Sequence, residues 1–396
     1  MNKSWTQLDG VEQILPCDGW EIEQLRRKIL DCLNSNGYEL VIPPLADFVE
    51  SLLGGTDADL DVLTVKAPDH VSGRLFGIRA DMTPQVARMA ALRLPVQSSV
   101  VRLCYMGSAL LARSPSVGAS REILQFGAEL FGSSDLNSDC EIIHLMVDSL
   151  HIAGIESLSV SLGHVGIIEE LFSSLKIPKS LENDVLEALK KKSIPDLEEL
   201  CRKSEQLKQT MDVFSELTRL HGDSKTIEQA KCLLSGISAR IDALLVELDY
   251  AVSWILRELP DVSCHVDCAL VGSYRYHTGI IFSAYGPGYG QALAKGGRYD
   301  LVMSTYGNPC PATGFSGDLR LLSRDLRGEC RKGILVPHGE QLPETVISEL
   351  IEKGSRVIRQ MPEQAQSSLH SVCDRRLVVR DGEWVVVPMD DEGGVS

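Results

Sequence analysis

The segment Ile123-Leu-Gln-Phe-Gly-Ala-Glu-Leu-Phe131 carries the most legible chemistry in the chain. In an extended strand successive side chains alternate between faces, so Leu124, Phe126, Ala128 and Leu130 form an apolar core set. The other face presents Gln125, Gly127 and Glu129. An amide and a carboxylate then stand about 13 Å apart along the strand, with a residue lacking a side chain between them. A small polar ligand could rest over Gly127 and meet Gln125 at one end and Glu129 at the other. The alternative is a solvent-facing sheet surface with an incidental glycine. Asp81 could hold a ligand ammonium through a charge-assisted hydrogen bond, or it could compensate a helix dipole. Thr83 reads as an N-cap, with Pro84 at the first helical position. Tyr276 and His277 precede a strand and could flank a flat ligand or simply pack.

Other chemistries find no support. Lys295 precedes Gly296-Gly297 instead of following them, and the chain has no GxxxxGK[ST], GxSxG or HExxH string. Those glycines read as a tight turn or close backbone packing. Cys264, His265 and Cys268 make at most half a zinc site, and no second CxxC or HxxxH group completes it. No metal is expected. The 11 cysteines are scattered and odd in number, and read as free thiols or small buried hydrophobes. Lys and Arg number 39 against 55 Asp and Glu, a net charge of −16, which argues against a nucleic-acid surface built on counterion release. No apolar run reaches the length of a membrane span, and residues 1–13 lack a secretory pattern, so a cytoplasmic location is expected.

The elements that must position these residues can be read in outline. Ile22, Leu25, Ile29 and Leu33 share a helical face in Trp20–Asn36, with Gly37 as its stop. Tyr38–Ile42 reads as a strand ended by Pro43-Pro44, and Leu75–Arg79 as another. Val100–Met106 and Ile123–Phe131 follow. Long helical patterns occupy 166–259, among them Ile241–Leu256, and look like an insertion between two parts of one sheet. Strand texture returns over Val262–Ala284, with a helix expected over Ser316–Leu326. The final segment reads as a small α/β appendage, 329–396. It has a strand at Ile334–Val336, a helix at Pro343–Lys353, a hairpin turning at Asp381-Gly382 and an acidic tail.

In order, these segments resemble the catalytic domain of class II aminoacyl-tRNA synthetases, specifically the histidyl enzyme, from about residue 10 to 326. Gly37–Pro43 is similar to the first class II motif, used in dimerisation. Arg79-Ala-Asp-Met-Thr83 resembles the loop holding the histidine amino group, and Arg102–Gly132 resembles the second motif. Tyr274–Phe282 resembles a histidine-specific segment, and Gly296–Asp300 the GGRYD string. The implied fold is α+β. It is a synthetase-like antiparallel sheet flanked by helices (1–165 and 260–328), with a helical insertion (166–259) and the C-terminal appendage in place of an anticodon-binding domain.

Three departures bear on function. The second-motif arginine that grips the ATP α-phosphate aligns with Leu111, the arginine of the histidine-specific segment with Gly272, and the third-motif arginine with Leu321. Losing one preorganised charge donor typically costs about 2.7–4 kcal/mol of transition-state stabilisation. Three losses leave little adenylation, unless Arg320 or Arg113 substitutes through a one-residue shift in register.

Retained amino-acid groups beside lost ATP groups resemble the regulatory-subunit family of ATP phosphoribosyltransferase. Arg79–Arg88, Tyr276–Gly279 and Pro311–Ser316 are closely similar to that family. The resemblance implies no catalytic residues and no cofactor, with histidine as regulatory ligand. It implies a short-form catalytic subunit as partner in a hetero-octamer, a self-associating dimer, and no tRNA. Histidine would contact Asp81, Thr83, Gln125, Glu129, Tyr276, His277 and Tyr299. His277 stands where the synthetases have tyrosine, and Gly272 departs from the family's arginine as well. An active synthetase and a synthetase paralogue serving another partner are the alternatives.

Overall fold

The computed structural model describes residues 8–53, 58–94, 96, 99–114, 119–203, 205–270, 277–325, 331–339, 342–364 and 366–390. The chain divides into two compact units. One comprises Met1–Gln13 and Ile22–Asp325, the other Ile14–Glu21 and Leu326–Ser396.

Helix α1 (Asp18–Ser35) buries Ile22, Leu25, Ile29 and Leu33, the face its spacing predicts. It stops at Gly37 (φ 84°), where the Gly37 and Tyr38 amides donate to the Asn34 and Leu33 carbonyls. This paired arrangement needs a left-handed residue and so favours glycine. Next come β1 (Glu39–Leu40), β2 (Ala46–Phe48), α2 (Val49–Leu53), α3 (Ala58–Leu63), β3 (Val65–Pro68), β4 (Leu75–Ile78) and α4 (Thr83–Arg93). The long strands β5 (Val101–Leu110) and β6 (Glu122–Phe131) precede α5 (Leu136–Ile152) and β7 (Ser159–His164). Residues 165–258 hold α6 (Val165–Ser174), α7 (Lys179–Lys190), α8 (Ile194–Lys203), α9 (Glu205–Arg219), the two-residue β8 (His221–Gly222), α10 (Lys225–Leu234) and α11 (Ala239–Glu258). The unit closes with β9 (Ser263–Asp267), β10 (Ile280–Tyr285), β11 (Ala294–Arg298), β12 (Ala312–Asp318) and α12 (Leu319–Leu322).

Nine strands form one sheet in the order β1-β5-β6-β12-β11-β10-β7-β9-β8, and β2, β4 and β3 form a smaller one. The large sheet is antiparallel except at β1–β5 and β7–β9. It is therefore mixed, with its parallel pairs outside the central β6-β12-β11-β10 strip. On one side of that strip α4 contributes Val86, Ala87 and Ala90 to a core with Leu103, Tyr105, Phe131 and Met303. Among the described residues no helix is long and apolar enough to cross a membrane.

The second unit carries β13 (Gly333–Val336), α13 (Glu344–Glu352), β14 (Val357–Arg359), α14 (Gln366–Val372), β15 (Cys373–Arg380) and β16 (Glu383–Pro388). Its sheet order is β14-β13-β15-β16, over a core of Ile334, Val336, Ile347 and Leu377. The β15–β16 turn has positive φ at both Asp381 (50°) and Gly382 (79°), the turn that matches strand twist.

Several local expectations need correction. Tyr38–Ile42 yields only a two-residue strand, because Glu39 and Leu40 alone are in register with β5 before the prolines. Thr83 is not an N-cap. Met82 holds that position without a side-chain bond, and the Asp81 carboxylate accepts from the Thr83 amide at 3.1 Å instead. The helix expected over 316–326 begins three residues later, at Leu319, since 312–318 is paired on both sides by β6 and β11. α12 and a 3-10 helix over Ser323–Asp325 follow, started by Asp318, whose carboxylate accepts from the Arg320 amide at 3.0 Å. Nine described cysteines are free thiols, but Cys17 is disulfide-bonded. That bond depends on two sulfurs meeting in space, which spacing along the chain does not disclose.

Candidate functional site

Alternation in β6 sends Gln125 and Glu129 to one face, and both are buried, at 4% and 1% exposure, so the solvent-facing alternative fails. Sheet register decides what surrounds them. Glu129 lies opposite Gly314 of β12, which lies opposite Gly297 of β11. Directly opposed residues share a face, so the floor beside the carboxylate is made of glycine. The Glu129 carboxylate uses that room: a Cβ at Gly314 would come within 1.5 Å of its Oε2. At Gly297 a Cβ would meet the His277 ring at 2.8 Å.

Gly127 does something different from what its place between two polar residues suggests. Its register partner on β5 is Tyr105, and a Cβ at 127 would sit 2.5 Å from the Tyr105 hydroxyl and 2.4 Å from the Phe315 carbonyl oxygen. The space over Gly127 therefore belongs to Tyr105, and a ligand does not lie there. The tyrosine hydroxyl donates to Glu129 Oε1 at 3.0 Å and pairs with the Thr83 hydroxyl at 3.0 Å. On the other oxygen, Glu129 Oε2 accepts from the Tyr299 hydroxyl. Gly127→Ala should accordingly destabilise the protein by about 1–3 kcal/mol, the usual cost of overpacking. Urea denaturation gives the shift in midpoint, and an unshifted midpoint would show that Tyr105 is not seated against this glycine.

The Gln125 amide is oriented by its neighbours. Its Nε2 donates to Asp81 Oδ1 at 2.6 Å and its Oε1 accepts from the Met82 amide at 2.9 Å. Asp81 also accepts from the Thr83 amide on Oδ1, so both bonds use one oxygen. Burial pushes the Glu129 carboxyl up to about 8, against the opposing effect of the Tyr299, Thr83 and Tyr105 hydroxyls; Asp81 adds repulsion. The Tyr105 phenol is raised well above its ordinary value, mainly by burial and then by Glu129.

These groups line one cavity of about 420 Å³. Asp81, Thr83, Gln125, Glu129, His277 and Tyr299 all lie on its wall. Tyr276 and Gly272 fall outside the described residues. Leu111 and Leu321 also line it, joined by Leu63, Ile123 and Leu293. Leu111 packs in a cluster with Leu60 and Ala80. The cavity thus has polar groups at Asp81, Gln125 and Glu129 and apolar wall at Leu111 and Leu321, two positions where the resemblance leads one to expect arginine. Neither candidate substitute lines it: Arg320 pairs with Glu122 at 2.8 Å, and Arg113 is not among the lining residues. Asp318 adds a carboxyl raised by burial. Among the described residues no group of three or more His, Cys, Asp or Glu is placed to hold a metal ion.

Sequence reasoning missed Gly314 and Lys295 as cavity residues, and Tyr105 as the buried partner of Glu129. Tyr105 alternates with Leu103 and Gly107 on β5, a visible pattern, but its place opposite Gly127 requires the strand register.

Comparison with known proteins gives the same outline. The family description Histidyl-tRNA synthetase matches residues 10–322, and ATP phosphoribosyltransferase subunit HisZ C-terminal domain matches residues 331–387. The ATP phosphoribosyltransferase regulatory subunit of Alkalilimnicola ehrlichii is 41% identical over 392 residues, covering 97% of each chain. The protein of the same description from Chromohalobacter salexigens is 39% identical, covering 97% of this chain and 98% of that one. A solved structure described as an ATP phosphoribosyltransferase regulatory subunit/histidyl-tRNA synthetase from Bacillus halodurans superposes with a TM-score of 0.80 at 25% identity, covering 91% of this chain and 94% of its own.

Proposed function

The chain belongs to the regulatory-subunit family of ATP phosphoribosyltransferase, and from that premise we propose that it is a non-catalytic, histidine-responsive partner of the short-form catalytic subunit. As a regulatory subunit it serves the enzyme of histidine biosynthesis rather than protein synthesis. The observation that carries the histidine reading is the single cavity. Its polar end joins Asp81, Thr83, Gln125, Glu129 and Tyr299, while the arginine positions at its other end are Leu111 and Leu321.

Each retained group has a task in holding an amino acid. Asp81 Oδ2 faces a ligand ammonium while Oδ1 is held by Gln125 and the Thr83 amide. Gln125 is fixed in orientation by the Met82 amide and keeps Asp81 in place. Glu129 accepts an imidazole N–H, positioned by Tyr105 and Tyr299. His277, over Gly297, stacks or bonds against the ring. Adenylation instead needs cations around a triphosphate, and leucines offer none. We therefore assign the chain no catalysis of its own, no cofactor beyond the regulatory histidine, and no tRNA.

For assembly we propose a homodimer along the β1 edge, where Leu40, Ile42, Leu45 and Val100 are exposed at 47%, 78%, 51% and 45%. A hetero-octamer with the catalytic subunit is proposed on the family resemblance. We propose a cytoplasmic location on nine free thiols among the described residues, against one disulfide-bonded cysteine, Cys17.

Feedback requires histidine to bind one state of the complex more tightly, and the coupling must be reciprocal. Calorimetry on this chain with and without the catalytic subunit should give histidine affinities differing by about 5- to 150-fold. Equal affinities would remove the regulatory reading. Histidine-dependent exchange of pyrophosphate into ATP should stay at background, and measurable exchange would instead make the chain a synthetase.

A further inference from the structure

An amino acid brings a carboxylate into the cavity as well as an ammonium, and the cavity already holds Asp81, Glu129 and Asp318. A carboxylate brought in beside these acidic groups needs a cation nearby, or its desolvation goes uncompensated. The arginine expected in the histidine-specific segment aligns with Gly272, which cannot supply one. Among the described residues lining the cavity there is one lysine and no arginine. The lysine is Lys295, on β11.

Strand register puts Lys295 on the required face. It lies opposite Ser316 of β12, which lies opposite Gly127 of β6. These residues form a row beside the Glu129–Gly314–Gly297 row, one step along the strands. With strands about 4.8 Å apart, the Lys295 backbone is two strands, or about 10 Å, from the β6 backbone. A four-carbon stem rising from there reaches over a floor of glycine and serine toward the polar end. The side chain remains accessible within the cleft, yet enough protein surrounds it that burial, with added repulsion from Lys190, lowers the ammonium's hold on its proton. An anion bound beside it would offset both effects.

We infer that Lys295 is the carboxylate anchor of the amino-acid ligand, supplying from β11 the positive charge that position 272 does not carry. The inference rests on the histidine reading above and adds how the α-carboxylate is recognised. It also gives the lysine before Gly296-Gly297 a purpose that a phosphate loop does not. Lys295 is here a ligand-binding residue and takes part in no reaction.

The test is calorimetry on the full chain with L-histidine and with histamine, which has the same imidazole and ammonium but no carboxylate. The wild-type protein should prefer histidine by about 30-fold or more, the effect of one charged hydrogen bond. Lys295→Met should bring histidine down to the level of histamine and leave histamine within about threefold. Lys295→Arg should keep most of the preference, with thermal unfolding confirming that both variants are folded. Equal binding of the two ligands by the wild-type protein would overturn the inference without any variant. So would a Lys295→Met protein that still discriminates. A wild-type protein that binds neither ligand would remove the histidine reading itself, an outcome distinct from loss of the lysine's role alone.

Discussion

Glu129→Ala should weaken histidine binding by roughly 30- to 150-fold, or about 2–3 kcal/mol, when measured by calorimetry on the purified chain. The carboxylate is 1% exposed and accepts from Tyr105 and Tyr299, so its removal loses the ligand's N–H partner and leaves two hydroxyls without their acceptor. Glu129→Gln separates charge from shape, because it keeps the volume over Gly314 and an acceptor oxygen. The same pair of variants tests the protonation of the site. Burial raises the Glu129 carboxyl from 4.5 to about 8, so the folded, empty protein holds this proton more tightly than the unfolded chain does. The associated stability is fully present below about pH 4.5 and is lost as pH rises through about 8. Between those limits the wild-type melting temperature should fall relative to that of Glu129→Gln, which has no such group. A ligand that donates to the ionised carboxylate binds better over the upper part of that window. Parallel melting profiles for the two proteins from pH 5 to 8 would show that the carboxyl is not perturbed.

The second large effect is on stability. Arg298→Leu should destabilise the protein by about 3–5 kcal/mol, because it strands a buried carboxylate. Arg298 holds Asp139 Oδ2 through Nη2 at 2.7 Å and Nε at 3.1 Å, and its Nη1 donates to the Ser133 carbonyl at 3.0 Å. The two side chains are 9% and 0% exposed. Burial raises the Asp139 carboxyl even with this guanidinium beside it, which measures how poorly the site tolerates an unpaired charge. Replacing both residues with leucine should recover part of the loss, since an apolar pair avoids the desolvation of two ions. Urea midpoints at constant slope give the values. A single-variant loss below about 1 kcal/mol would place the pair among surface-like ion pairs instead. Arg298 immediately precedes Tyr299, so the variant should also loosen the tyrosine's hold on Glu129.

How much of this was legible before folding differs from residue to residue. The polar face of β6, the apolar stripe of α1, the glycine stop at 37 and the Asp381-Gly382 turn follow from strand alternation, helical period and turn chemistry. These are local rules, and the local residues sufficed. The same rules started the helix of 316–326 three residues too early. Pairing with β6 and β11 holds residues 316–318 in the strand, as tertiary contacts often do at the ends of short segments.

By itself the sequence determined which chemical groups are available: carboxylates at 81 and 129, an amide at 125, and leucine at 111 and 321, because a side chain's charge is a property of its type. Only the tertiary structure decided that Tyr105 occupies the room over Gly127, that Gly314 yields its place to Glu129, and that Lys295 faces the same cavity. Each depends on the alignment of strands far apart along the chain, and a shift of one residue in that alignment would turn every one of these side chains to the opposite face.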